Sequence, residues 1–405
     1  MTLIYESLAL LAAFVLVYSL IARGIERTWV SGPIVFTAFG LLIGPMGLDL
    51  LSFDTERETL KTLAELTLAL VLFTDAAGAD LGVLRRSARL PVRLLFIGLP
   101  LTIVLGYLIG LLLRVNLSNL EVALVAIMLA PTDAALGKAV ITNEAVPDDV
   151  RQGLNVESGL NDGICVPILF IFLALARDTG HDALPWTRVL ALVGEEIGIG
   201  LAIGVVVTAL AVQLLGYAAR HHWLTPTWLQ IPVVALALTC FATAQALGGS
   251  GFIASFVGGL LFGALARQHR EMLLRAAEGT GDTFALITWV IFGSAVIGQA
   301  LGYFNWRLLL YAMLSLTVIR MLPVFLALIG SGMNTESRLF IGWFGPRGLA
   351  SIVFGVIVVN AGLPHSHNMA VVVVFTVILS VLAHGFSANP WARAYGERAR
   401  VTRAD

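Results

Sequence analysis

Glu157-Ser158-Gly159-Leu160-Asn161-Asp162-Gly163 lies within an apolar run that continues to Ala176. A carboxylate in a bilayer is costly and is seldom kept there without a task. Here two carboxylates, a hydroxyl and an amide share one predicted membrane helix. A second polar break, Ala130-Pro131-Thr132-Asp133, lies in the hydrophobic run before it, and a third, Gly345-Pro346-Arg347-Gly348, far downstream. Together they describe an ion site at membrane depth.

Working outward, the 405-residue chain is 58% hydrophobic and 13% charged, with a mean hydropathy of +0.90. A soluble domain carries about 25% charged residues. The sequence therefore predicts an all-α polytopic membrane protein with the bilayer as its solvent. The net charge of −1 does not point to a partner. No basic patch interleaved with aromatics suggests nucleic acid. Cys165 and Cys240 sit in separate apolar runs and read as small core residues, not as a disulfide or metal pair. The first apolar run, Leu8 to Ile21, has no basic region before it and no cleavage site after it, so it reads as a retained helix.

A span needs about 20 mostly apolar residues, and about thirteen such spans can be drawn. The fifth covers Leu120–Ile141, the sixth Leu154–Ala176, the tenth Thr283–Leu301, the eleventh Leu308–Ile329, the twelfth Leu339–Asn360 and the thirteenth Met369–Phe386. No Ser/Gly/Pro-rich linker divides them. Residues 1–387 read as one transmembrane domain and 388–405 as a short cytoplasmic tail. Alternate loops hold 17 of the 25 Lys and Arg residues, and the other loops hold six. The positive-inside rule then places the N-terminus outside and the C-terminus in the cytoplasm.

The fifth and twelfth spans are broken at corresponding places and lie seven spans apart, an odd offset that inverts orientation. Two inverted six-helix repeats joined by one linking helix would give this pattern, and paired interruptions mark a transporter site. Unwound backbone at mid-membrane exposes carbonyls and half-helix dipole ends. Asp133 and Arg347 could supply the counter-charges. Two ordinary proline-kinked helices are the plainer alternative.

Glu157 and Asp162, five residues apart, do not share a helix face, whereas Ser158 and Asp162, four apart, do. Asp162 and Ser158 are thus expected to face the ion, and Glu157 and Asn161 to face protein. Desolvation disfavours the charged form of a lone carboxylate, so Asp162 could exchange a proton for a cation. Na⁺ would take oxygen ligands from Asp162, Ser158 and an unwound carbonyl near Thr132. Glu157 needs a buried cation. Arg347, flanked by glycines, is the expected partner and Arg320 the rival. Asp75, near the end of the third span, could be an accessory ligand, a funnel charge or an ordinary helix-end acid. The histidines His221, His222, His365 and His367 lie in predicted loops and read as solvated.

These three segments resemble the monovalent cation/proton antiporters of the NhaP-like, sodium/proton exchanger branch. Gly40-Leu41-Leu42-Ile43-Gly44-Pro45, Gly249-Ser250-Gly251-Phe252-Ile253-Ala254 and Arg320-Met321-Leu322-Pro323-Val324 add to the likeness, which covers nearly the whole chain. The resemblance implies a thirteen-helix antiporter fold with a core subdomain and a dimerisation subdomain, and two broken helices crossing beside the ion. It assigns ion binding to Asp162, helix positioning to Asn161, a hydroxyl ligand to Ser158, the crossing to Thr132 and Asp133, and a buried ion pair to Glu157 and Arg347. It also implies a homodimer in a prokaryotic inner membrane, with no cofactor beyond the transported cation and no enzymatic activity. Members with Asn-Asp at positions 161 and 162 are generally electroneutral.

The expected function is exchange of Na⁺, or of Li⁺ or K⁺, for H⁺ by alternating access. A sodium-coupled organic-anion symporter on the same fold and a non-transporting sensor are the alternatives. An intramembrane aspartyl protease using Asp133 and Asp162 is disfavoured, since neither aspartate stands in a Gly-x-Gly-Asp segment of the kind that family carries.

Overall fold

A computed structural model describes the chain except for residues 1, 26–27, 29, 51–56, 80–88, 178–184, 226–227, 267–269 and 405. Arg27, Arg85, Arg86 and Arg267, which carry part of the loop charge bias, lie outside the described residues. Every regular element among those described is helical.

In chain order these are α1 (Thr2–Ile25), α2 (Gly32–Ile43), α3 (Arg57–Gly78) and α4 (residues 89–113, with a π-turn at Leu94–Gly98). The fifth span is α5 (Asn119–Met128) and α6 (Ala134–Ile141). Then come α7 (Asp148–Arg177), α8 (Trp186–Arg220), α9 (Pro232–Ala246), α10 (Gly251–Leu265) and α11 (residues 270–301, with a π-turn at Phe292–Val296). The eleventh span is α12 (Trp306–Leu316) and α13 (Val318–Ala327). The twelfth is α14 (Thr335–Trp343) and α15 (Leu349–Asn360), and α16 covers Ser366–Ala404. Taken in this grouping, the described helices fall into thirteen segments. Among the described residues seven helices, with the eleventh span counted whole, are long and apolar enough to cross a membrane.

The breaks of the fifth and twelfth spans have the same cause. Pro131 and Pro346 lack a backbone N–H, and each biases the residue before it away from the helical region. α5 begins at a capping box, with the Ser118 hydroxyl accepting from Glu121 N–H and the Glu121 carboxylate accepting from Ser118 N–H. The same carboxylate accepts from His365 N–H at 3.0 Å and lies 2.9 Å from His365 Nδ1. It thereby ties the start of α5 to the turn that follows α15. His365 is thus exposed, as the sequence reading has it, but also partnered, because the fold brings its loop over this helix end.

The eleventh span differs from expectation. It breaks at Thr317 (φ −106°, ψ −93°), whose hydroxyl bonds back to the Met313 carbonyl at 2.9 Å. The sixth span is a continuous helix despite its polar stretch. The thirteenth continues past Phe386 as part of a 39-residue helix. Its far end docks on α14: Tyr395 stacks on Phe340 at 4.2 Å, and its hydroxyl meets Ser337 Oγ at 2.7 Å.

Small residues set the approach of α3. A Cβ at Gly259 or Gly263 of α10 would strike the carbonyls of Phe73 and Ala77. A Cβ at Gly159 of α7 would lie 3.2 Å from the Asp75 carbonyl. Close backbone contact of this kind is a usual basis of helix association in lipid, and here it brings the last turn of α3 to the polar stretch of α7.

Candidate functional site

The two breaks meet and complete one another. Asp133 N–H donates to the Pro346 carbonyl at 2.8 Å. One oxygen of the Asp133 carboxylate accepts from Leu136 N–H at 3.1 Å, capping α6, and the other accepts from Leu349 N–H at 2.7 Å, capping α15. Both helix starts present a positive dipole end that a carboxylate favours. Reciprocally, the Arg347 guanidinium donates to the Ala130 and Pro131 carbonyls, the latter at 2.8 Å, at the open C-terminal end of α5. Each break thus carries the counter-charge for the other's backbone. Gly348 is required by space: a Cβ there would run into the Asp133 carboxylate.

This use of Arg347 corrects the expected ion pair. Glu157 is bound by Arg320, with Nη1–Oε1 at 2.6 Å and Nη2–Oε2 at 2.8 Å. Arg347 is claimed by the orphan carbonyls of the first break. Arg320, on α13 just past the Thr317 break, reaches Glu157 in a parallel fork, the geometry that suits guanidinium and carboxylate best. Gly345 leaves the room, since a Cβ there would overlap the Arg320 guanidinium. Both members of the pair are 1% exposed.

α7 joins the crossing through hydroxyls. Asn161 Nδ2 donates to Thr132 Oγ1 at 2.6 Å, and Thr132 Oγ1 lies 3.0 Å from Ser158 Oγ. Asn161 therefore works beside Ser158 and not on a separate protein-facing side, because positions three apart are neighbours on a helix. Asp162, next in sequence, is 6% exposed, and its Oδ1 is buried without a hydrogen-bond partner among the described residues. Asn161 Oδ1 is in the same condition. An anionic oxygen in that state is costly, and a proton or a hard cation would answer it. The charges that act on Asp162 are Asp75, Asp133 and Arg347.

Asp75 is half-buried. The charges of Asp133, and of Asp282 and Glu278 on α11, act on it. Those two acids were not singled out by sequence, because the tenth span was drawn from Thr283 and left them in a loop; their i, i+4 spacing was the available signal. On the side where α7 begins, a cavity of about 10 Å³, room for about one water, touches Asp133, Asn155, Ser158 and Pro346. On the side where α7 ends, a cavity of about 260 Å³ is lined by Lys61, Glu65, Arg177, Glu196, Gln245 and Asn360. Phe170 and Phe252, stacked at 6.5 Å, also line this second cavity. Glu196 was another polar residue given no role from sequence.

Two broken helices that cross at their breaks, beside an unbroken helix bearing a buried carboxylate, define an antiporter-type membrane fold. The chain belongs to the sodium/hydrogen exchanger family: the family profile "Sodium/hydrogen exchanger, transmembrane" matches residues 10–394. It is 25% identical to the K⁺/H⁺ antiporter NhaP of Alkalimonas amylolytica over 362 residues, which is 89% of this chain and 62% of that protein. Identity and coverage are the same for the K⁺/H⁺ antiporter NhaP2 of Shewanella oneidensis. The chain thus spans less than two thirds of the length of these curated relatives. Its fold matches the structure of the sodium proton antiporter MjNhaP1 from Methanocaldococcus jannaschii at pH 8 with a TM-score of 0.78. That match covers 97% of this chain and 98% of the other at 20% identity.

Proposed function

We propose that this chain is a secondary transporter that exchanges a monovalent cation for H⁺, with Asp162 binding one or the other in turn. The observation that carries the reading is Asp162 Oδ1, buried without a hydrogen-bond partner among the described residues, one helical turn along α7 from Ser158, whose hydroxyl meets Thr132. Na⁺ is the first candidate, with Asp162 as the charged ligand and the Ser158 and Thr132 oxygens beside it. Asn161 cannot ionise, so one carboxylate serves each cycle and exchange is electroneutral. The names of the bacterial relatives favour a second reading for the ion, K⁺. Asp133 and Arg347 hold the crossing, Asp75 adds negative charge at its margin, and Glu157 with Arg320 fixes α7 against α13.

The crossing and α7, with the helices bonded to them, form the moving core in this reading. Helices outside that core form the scaffold of a homodimer in a prokaryotic inner membrane, N-terminus outside. An unloaded, charged Asp162 crosses poorly, which enforces exchange. The test is proton efflux from acid-loaded proteoliposomes on adding Na⁺, Li⁺ or K⁺. Cation-dependent alkalinisation that is lost in Asp162→Asn supports exchange at this site and ranks the ions. No signal from folded wild-type protein, or full activity in Asp162→Asn, overturns it.

A further inference from the structure

Three groups of α16 lie against the second break, outside the ion-facing residues. Ser380 Oγ accepts from Arg347 N–H at 2.7 Å, on the far side of Pro346. His384 Nε2 lies 2.9 Å from the Trp343 carbonyl, on the near side. Trp343 Nε1 donates to Ser387 Oγ at 2.9 Å. His384 Nδ1 lies 3.2 Å from Ser380 Oγ and 2.9 Å from the Ser380 carbonyl. Ser380 is fully buried and His384 is 1% exposed.

The chemistry of these contacts is specific. A carbonyl oxygen can only accept, and both ring nitrogens of His384 face one at 2.9 Å: Nε2 the Trp343 carbonyl and Nδ1 the Ser380 carbonyl. A neutral ring has one N–H, which serves one of the two carbonyls. Ser380 thus holds the backbone N–H after the proline, and the His384 ring lies between α16 and the backbone carbonyl before it. An unbroken helix would pair Arg347 N–H with the Trp343 carbonyl; the break at Pro346 parts them, leaving the N–H to Ser380 and the carbonyl to Gly345 N–H at 2.8 Å and the His384 ring. Buried backbone groups left without partners are rare and costly.

We propose that Ser380 and His384 are positioning residues for transport. They clip the two sides of the second break to α16 and so fix Arg347, whose guanidinium in turn holds the Ala130 and Pro131 carbonyls of the first break. The clip reaches the ion only through that chain of contacts. This inference rests on the proposal that the crossing is the transport site. It predicts that α16 moves with the crossing as one body.

The test uses the full chain in proteoliposomes, with Ser380→Ala, His384→Leu, His384→Gln and the Ser380→Ala/His384→Leu double variant. The readouts are the apparent KM for the cation, the maximal rate, and the thermal melting of the detergent-solubilised protein. Losing either link raises KM by about tenfold, the scale of one buried hydrogen bond left unmade. The double variant is no worse than the worse single, because both links act on one break. His384→Gln, whose amide N–H can reach the Trp343 carbonyl, stays close to wild type. Unchanged KM in Ser380→Ala and His384→Leu, whatever the melting temperature, overturns the proposal, as does additivity in the double variant. Should His384→Leu fail to fold, Ser380→Ala against His384→Gln decides the same question. Asp162→Asn is measured alongside. If it still exchanges, the site reading fails; if it is inactive while the α16 variants keep wild-type KM, only the clip fails.

Discussion

Removing Arg320 is the substitution whose consequence the structure defines most sharply. Its two nitrogens lie 2.6 and 2.8 Å from the two oxygens of Glu157, and both side chains are 1% exposed. At about 2.7 Å and an effective dielectric of about 20, the attraction is about 6 kcal/mol. Desolvating each ion costs several kcal/mol, so the net worth of the pair is small. The imbalance created by breaking it is not. Arg320→Met leaves Glu157 charged and buried, which costs about 3–5 kcal/mol, a large share of a typical folding stability of about 5–15 kcal/mol. Glu157→Gln costs a similar amount by stranding the guanidinium. The double variant Glu157→Gln/Arg320→Met removes both charges and recovers most of the loss, giving a coupling of about 3 kcal/mol in a double-mutant cycle. The assay is the yield and melting temperature of the folded, detergent-solubilised protein. Additive losses, or rescue of Arg347→Ala by Glu157→Gln in place of this rescue, would refute the pairing.

Other outcomes follow from the same contacts. Gly348→Ala places a methyl group on the Asp133 carboxylate and should cost about 1–3 kcal/mol as overpacking, with transport lost wherever the crossing cannot relax; a near wild-type melt with intact transport would contradict the geometry. Glu121→Ala removes the capping box of α5 and the acceptor for His365, and should lower stability by about 1–2 kcal/mol. Its cycle with His365→Ala should show coupling, and strict additivity of the two melting shifts would show the contact to be idle.

What the sequence reveals here depends on the range of the interaction. The two breaks are legible because Pro131 and Pro346 act on their own backbone and sit in otherwise apolar runs. The roles of Asp133 and Arg347 as dipole counter-charges could be supposed from the charge beside each break. Which carboxylate meets which guanidinium was not legible. Glu157 could have met either buried arginine, and the choice turned on the orphan carbonyls at Ala130 and Pro131, which claim Arg347. The break at Thr317 carries no proline or glycine, so nothing local marked it. The helical continuation of α16 beyond Phe386 was missed because hydropathy falls there, although Tyr395 and Phe340 hold it in place. Glu278 and Asp282 were lost for the same reason: a span drawn from apolar content leaves out the polar opening turns of α11. Ser380 and His384, also spaced i, i+4, lie within an apolar stretch, and only the neighbouring break gives them a purpose.

The central claim is that one carboxylate, Asp162, holds either a proton or the cation and never both. The most direct test is the apparent KM for the transported cation in proteoliposomes, measured at several values of pH on the side where the cation binds. Competition at a single group requires KM to rise about tenfold for each unit that the pH falls in the acid limb, with the maximal rate at saturating cation unchanged. Asp162→Asn must show no exchange at any pH. A KM independent of pH, with protons changing only the maximal rate, would mean that proton and cation occupy different groups and would contradict the account.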